Sequence, residues 1–163
     1  MNHSFKARWG RSLIIISSLA TLICVGAAAY GWSKGHHDFL RFWLPLLLPI
    51  AALPFMVRGY RMVPGALKVR RLFWETNIPL VGLASAERDP EAMKGCLRIF
   101  GNGGVFSFTG WFWNRRYGFF RVIATNTQDM VAMKIGGKTI IVSPDRPLDF
   151  IAAIIGKETS THA

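Results

Sequence analysis

The apolar residues of this chain are gathered near its N-terminus and dispersed beyond it. Residues 12–33 carry no charged side chain. At about 1.5 Å per residue such a helix extends roughly 33 Å, enough to cross a hydrocarbon layer of about 30 Å. Residues 39–57 form a second apolar run of ~28 Å, interrupted by Arg41, whose guanidinium can snorkel outward. Pro45, Pro49 and Pro54 predict a bend in it, because a neighbouring helix can take up the carbonyls that proline frees. The polar-biased connection 34–41 forces an antiparallel turn, so residues 12–58 read as a two-helix transmembrane hairpin. From residue 60 the pattern changes to short runs separated by turn residues. Strands are predicted at 60–63, 67–72, 78–86, 96–100, 105–109, 118–124, 130–135 and 139–142, with Pro64-Gly65 and Gly136-Gly137 as hairpin turns. Asp145 is placed to cap a closing amphipathic helix on which Leu148, Ile151, Ala152 and Ile155 share a face. Gly156 is expected to stop that helix and residues 157–163 to form a disordered tail.

Length and charge narrow this picture. With 163 residues, the chain has room for one anchor and one soluble domain of roughly 100 residues. The net charge of +11 attracts nucleic acid, anionic lipid and acidic proteins alike, so its placement matters more than its size. Lys6, Arg8 and Arg11 precede the first span, in a basic tail of residues 1–11. Arg58, Arg61, Lys68, Arg70 and Arg71 follow the second, whereas the connection has only Lys34 and Arg41 beside Asp38. That asymmetry places both termini in the cytoplasm. A cleavable signal is the rival reading, since a basic start, an apolar run and Ala27 to Ala29 also fit one. The run is long for a signal, and the second span would still anchor the product. Cys24 falls mid-span and Cys96 in the domain, so they read as two isolated thiols.

Five stretches carry a resemblance. They are the opening Y-x-M-x-P-G-x-L-x-V-R from Tyr60 to Arg70, the N-I-P-L at 77–80, the glycine-rich run from Gly101 to Gly118, the A-T-N-T at 124–127, and K-T-I-I-V-S-P-D at 138–145. In this order, behind a membrane hairpin, the segment 60–156 resembles the bacterial pleckstrin-homology (PH)-like domains. The resemblance implies a mainly β fold, a strongly bent antiparallel sheet or partial barrel capped by the C-terminal α-helix, in a multi-pass protein of the bacterial inner membrane.

Catalysis is argued against by the residues. His3, His36, His37 and His162 all fall outside the domain, which therefore has no histidine for acid-base, nucleophilic or metal chemistry. Adjacent His36 and His37 are poorly placed to share one metal ion. Glu87, Asp89 and Glu91 around Pro90 read as a solvated turn. Gly101-Asn102-Gly103-Gly104 departs from a nucleotide loop, because Phe106 stands where the third glycine belongs and no helix follows. No enzyme activity, cofactor or metal is expected.

The remaining signal is basic and aromatic. Trp111, Phe112 and Trp113 lead through Arg115 and Arg116 to Arg121, and strict alternation cannot bury all those rings in one core. This segment is the candidate contact with a partner or with anionic headgroups; its alternative is a barrel filling with a solvated arginine rim. A second basic group, Arg61, Lys68, Arg70 and Arg71, corresponds to the hairpin that holds phosphoinositides in eukaryotic pleckstrin-homology domains. The Pro64-Gly65 loop is too short to wrap a headgroup, and a positive flank beside the second span accounts for these residues better. The sequence thus points to a non-catalytic, membrane-anchored interaction module for a protein partner, a second copy or anionic lipid. An accessory or assembly subunit that meets a transporter or enzyme complex through its hairpin is the alternative. No nucleic acid is expected, since no recognisable nucleic-acid-binding motif occurs.

Overall fold

The structure is a computed structural model that describes residues 3–35 and 39–159, without the side chains of 39–42 and 157–159. His36, His37 and His162 lie outside the described residues, as does the end of the tail, 160–163. The chain begins with β1 (Ser4–Lys6), α1 (Arg11–Ser33) and α2 (Phe39–Ala52), followed by a 3-10 turn (Leu53–Phe55). Nine more strands follow: β2 (Gly59–Val63), β3 (Ala66–Arg70), β4 (Glu75–Pro79), β5 (Leu83–Arg88), β6 (Leu97–Gly103), β7 (Phe108–Asn114), β8 (Gly118–Ala124), β9 (Val131–Ile135) and β10 (Lys138–Val142). The last element is α3 (Pro147–Thr159).

Two helices precede the β domain and pack side by side, but they are unequal. α1 has 23 residues and is, among the described residues, the one helix long and apolar enough to cross a membrane. The expected second span is shorter than its apolar run: α2 has 14 residues, and Pro54 turns the chain into the 3-10 form. Pro45 and Pro49 are accommodated inside α2.

The expected single bent antiparallel sheet is instead two sheets that share a core. One is ordered β1-β2-β3-β4 and the other β5-β9-β10-β8-β7-β6. β8 and β10 run parallel, Thr139 opposite Phe120 and Val142 opposite Ile123. The reason is the Gly136-Gly137 turn, where both residues have positive φ and close a tight hairpin. It folds β10 back into the gap between β8 and β9, so those two strands form a wide antiparallel pair with β10 inserted. The predicted strand 78–86 is broken at Leu80 to Gly82, where the chain leaves one sheet for the other. β6 and β7 are longer than predicted and enclose a tip at 104–107, so Trp111, Phe112 and Trp113 lie within a strand.

The sheets face one another across Tyr60, Met62, Leu67, Val69, Ile123, Met133 and Val142, and α3 closes this core with Phe150 and Ile154. The expected helix face was misplaced by about one position: Leu148 and Ile155 are exposed and Ala152 lies outward, while Ile151 is half-buried. Asp145 takes the Lys6 N–H on Oδ1 (3.1 Å) instead of capping α3. Pro147 opens the helix, where its missing N–H costs nothing, and the helix continues through Gly156 to Thr159.

The N-terminal tail is part of this fold. β1 pairs with β2, Phe5 is buried against Phe150 with ring centroids 5.3 Å apart, and Lys6 O accepts from Asp145 N. A second core on the other face of the larger sheet gathers Phe108, Phe112, Phe120, Val122 and Ile141, and Leu13 from the foot of α1 is buried in it. Helix and β domain are therefore locked together.

Candidate interaction site

β7 runs between two turns, one beside the helices and one at the far end of the domain. At the helix-proximal turn, Ser17 Oγ donates a hydrogen bond to Gly104 O (3.0 Å) and accepts one from Phe106 N (2.9 Å). Asn102 Oδ1 accepts from Val105 N and Gly104 N, and its amide donates to Val105 O. Ser107 Oγ donates to Phe55 O (3.0 Å) at the end of the 3-10 turn. Phe106 sits at φ 61°, the one non-glycine residue with positive φ among those described, so the tip holds backbone strain that Ser17 and Asn102 pin in place.

Next to the tip, the foot of α2 lies over β6, β7 and β8 on the face of the sheet that also carries Ile123 and the first core. Ala51, Ala52, Phe55, Phe100 and Trp111 wall a groove of about 480 Å³, and Arg121 adds a charged side chain to its lining. The register explains the grouping: Phe100 is opposite Trp111 and Trp111 is opposite Arg121, so the three share one row. Gly101 faces Gly110 on the groove floor. A Cβ on Gly110 would stand 2.1 Å from Phe100 O, and one on Gly101 2.3 Å from Thr109 O. The two strands approach too closely there for any side chain.

Arg71 approaches this end from the smaller sheet, directly after β3. It is buried, its Nη1 donates to Phe55 O (2.8 Å) and its Nε to Thr76 Oγ1 (3.0 Å). Burial, and after it the like charge of Arg121, holds the Arg71 guanidinium below its usual pKa. Among the described residues no carboxylate forms an ion pair with Arg71 or Arg121. Phe55 and Trp74 meet edge to face at 5.5 Å, and Phe73 is exposed beside them. Phe73 and Trp74 went unremarked in the sequence, though exposed aromatics close to the end of an apolar run are the signal that would have found them.

The other site residues predicted from sequence separate. Phe112 is buried and stacked on Phe120, so it belongs to the core and offers no contact. Trp113 shares a row with Leu97 and Phe119, one step further from the helices than the groove. Arg115 is exposed at the far turn. Arg116 is bound: its Nη1 lies 3.0 Å from Asp89 Oδ2, and its guanidinium is 5.3 Å from the Tyr117 ring centroid. Asp89, expected in a solvated turn, is buried and also receives Tyr117 OH (2.6 Å) and Glu91 N (3.1 Å). Burial first, and then the hydrogen bond to Asp89, push the Tyr117 phenol up to about 12. In the second basic group, Arg61 is opposite Lys68, Lys68 Nζ is 3.6 Å from Glu75, and Arg70 is exposed. Only Arg71 turns inward, at the opposite end of the β2–β3 hairpin from Pro64-Gly65.

The two-sheet domain closed by a C-terminal helix matches the sequence model of the bacterial PH domain family over residues 58–157, well over half of the chain. The chain belongs to that family, whose domains are generally non-catalytic. No curated protein and no solved structure matches it.

Proposed function

We propose that this chain is a non-catalytic interaction module anchored in the bacterial inner membrane, with α1 and α2 as its two passages and both termini cytoplasmic. The observation that carries the reading is the interlock of α1 with the domain, through buried Leu13 and through Ser17 bonded to the β6–β7 tip. Removing α1 as a cleaved leader would open the second core and leave the tip's Gly104 carbonyl and Phe106 N–H without partners, which supports a retained helix. From Ser17 to Ser33, α1 rises about 24 Å, and α2 with its 3-10 turn reaches about 27 Å. A hydrocarbon layer of about 30 Å around them therefore extends to the level of the tip and of Phe55, Trp74 and Trp111. The tip suits that depth because its polar groups are bonded within the chain. The basic residues Lys6, Arg8, Arg58 and Arg61 lie on the domain side, in keeping with a cytoplasmic domain.

The surface offered to a protein partner is the row Leu97, Trp113 and Phe119 beside β6, which is the open edge of its sheet. Leu97 is 61% and Phe119 66% exposed. An unpaired edge with large apolar neighbours is suited to adding a partner strand. A photo-crosslinking residue at Phe119 of the full-length protein in cells should capture a discrete species, lost on Leu97→Asp. Capture from Leu47 on α2 and none from Phe119 would overturn this surface in favour of contact through the helices. A reporter fused after Ala163 should be active only in the cytoplasm, and periplasmic activity would overturn the topology.

A further inference from the structure

We infer that the groove at the foot of α2 holds one anionic phospholipid of the cytoplasmic leaflet, its phosphate at Arg121 and an acyl chain over Phe55, Phe100 and Trp111. This rests on the anchored reading above and names the ligand of a neighbouring site.

Three observations converge on that occupant. The first is shape: the groove holds about 480 Å³, within the usual range of ligand sites. Its walls are alanine and aromatic side chains, and its floor is kept bare by the facing pair Gly101 and Gly110. The second is charge. Arg121 lines the groove with Arg71 near it, two cations with no ion-paired carboxylate among the described residues. A phosphate diester supplies the missing anion and accepts hydrogen bonds from a guanidinium fork. The third is position: the groove opens beside the end of α2, so an acyl chain enters it from the leaflet without crossing water. A free phosphate would leave the apolar walls wet. The exposed Phe100, at 75%, is the outer lip that the chain would cover.

The test uses full-length protein in nanodiscs of phosphatidylcholine containing a minor fraction of phosphatidylglycerol, released into native mass spectrometry. The wild type should retain phosphatidylglycerol about tenfold over its share of the disc, a modest ratio for one charge-assisted contact. Arg121→Gln should bring that ratio to about one while leaving the thermal midpoint in lipid-free detergent unchanged. Ala52→Trp, which fills the groove, should abolish retention of either lipid, whereas Arg115→Gln at the far turn should behave as the wild type. Equal retention of the two lipids by the wild type, or the same loss from Arg115→Gln as from Arg121→Gln, would overturn the site. An alkaline wash of the same preparation separates this from the anchor: protein that stays in the disc without lipid preference sinks the groove alone, and protein that washes off sinks the anchored reading.

Discussion

At one end of β7 the chain turns through Gly104, Val105, Phe106 and Ser107; at the other it turns through Arg115, Arg116 and Tyr117. Both neighbourhoods combine aromatic rings with arginines, and in sequence they belong to one continuous motif. At the far turn the charge of Arg116 is answered within the chain, since Asp89 takes both Arg116 and the Tyr117 hydroxyl. At the helix-proximal turn the backbone is answered and the charge is not: Ser17 and Asn102 satisfy the tip, while Arg121 faces open space near Arg71. A fold that neutralises one arginine and leaves another without an ion pair separates a structural use of the residue from the ligand-directed use proposed for Arg121. Residue type alone does not make that distinction.

The largest expected effect tests whether the helix-proximal end depends on close strand approach. Gly110→Val places carbon atoms where Phe100 O already stands, and overlap with backbone is relieved only by parting β6 from β7. The expected loss is about 4 kcal/mol or more, read as failure of the detergent-solubilised protein to show a cooperative melt. A variant that melts like the wild type would mean the strands are not held at that distance.

Next in size is the alkaline limit. Burial raises the Tyr60 phenol to about 12, outweighing the lowering by its hydrogen bond from Ser143 N. With an unfolded value near 10, the unfolded chain loses this proton first. Stability is then intact below about pH 10 and falls as pH rises toward 12, by on the order of 2–3 kcal/mol from Tyr60. Tyr117 adds a smaller fall in the same window because it is only partly buried. Tyr60→Phe should flatten part of this fall. It should also cost about 1–3 kcal/mol at neutral pH, since Ile123 O and Ser143 N each lose a buried partner.

Ser17→Val and Asp89→Ala form a matched pair, one for each turn. Each removes a group that satisfies two or more polar atoms, and each should cost about 2 kcal/mol in a thermal melt. Only Ser17→Val should also loosen α1 from the domain, seen as faster hydrogen exchange at Gly104 and Phe106. Equal exchange in the two variants would remove the reason for treating the helix foot and the tip as one unit.

Local patterning made a good part of this architecture legible. Turn chemistry at Pro64-Gly65 and Gly136-Gly137 and the bounds of β8 at Gly118–Ala124 are settled by neighbours in sequence. What escaped depended on distant partners. The parallel pairing of β10 follows from insertion between two earlier strands, which periodicity cannot register. The strand at Ser4–Lys6 is three residues long and exists because β2 offers an edge. Asp89 looked solvated since its immediate neighbours are charged, yet Tyr117 and Arg116 reach it from 27 and more residues away. Within the candidate site, Trp111 and Arg121 were recognisable as a basic-aromatic pair. Phe55, Ala51 and Ala52 were not, because they belong to an apolar run whose composition gave no hint that its last turn roofs a groove.

The smallest effect cuts most directly between the two ends of β7. Arg116→Gln removes a charge that answers buried Asp89, so it should lower stability measurably. Arg121→Gln removes a charge whose described neighbour of note is another arginine. Relief of that repulsion offsets the lost packing of the aliphatic stem, and the net change in lipid-free detergent should stay within about 0.5 kcal/mol of zero. The double variant should then melt like Arg116→Gln alone, because the two sites share no partner. A clear destabilisation by Arg121→Gln in the absence of lipid would show that Arg121 holds the fold as Arg116 does, and the contrast between the two turns would collapse.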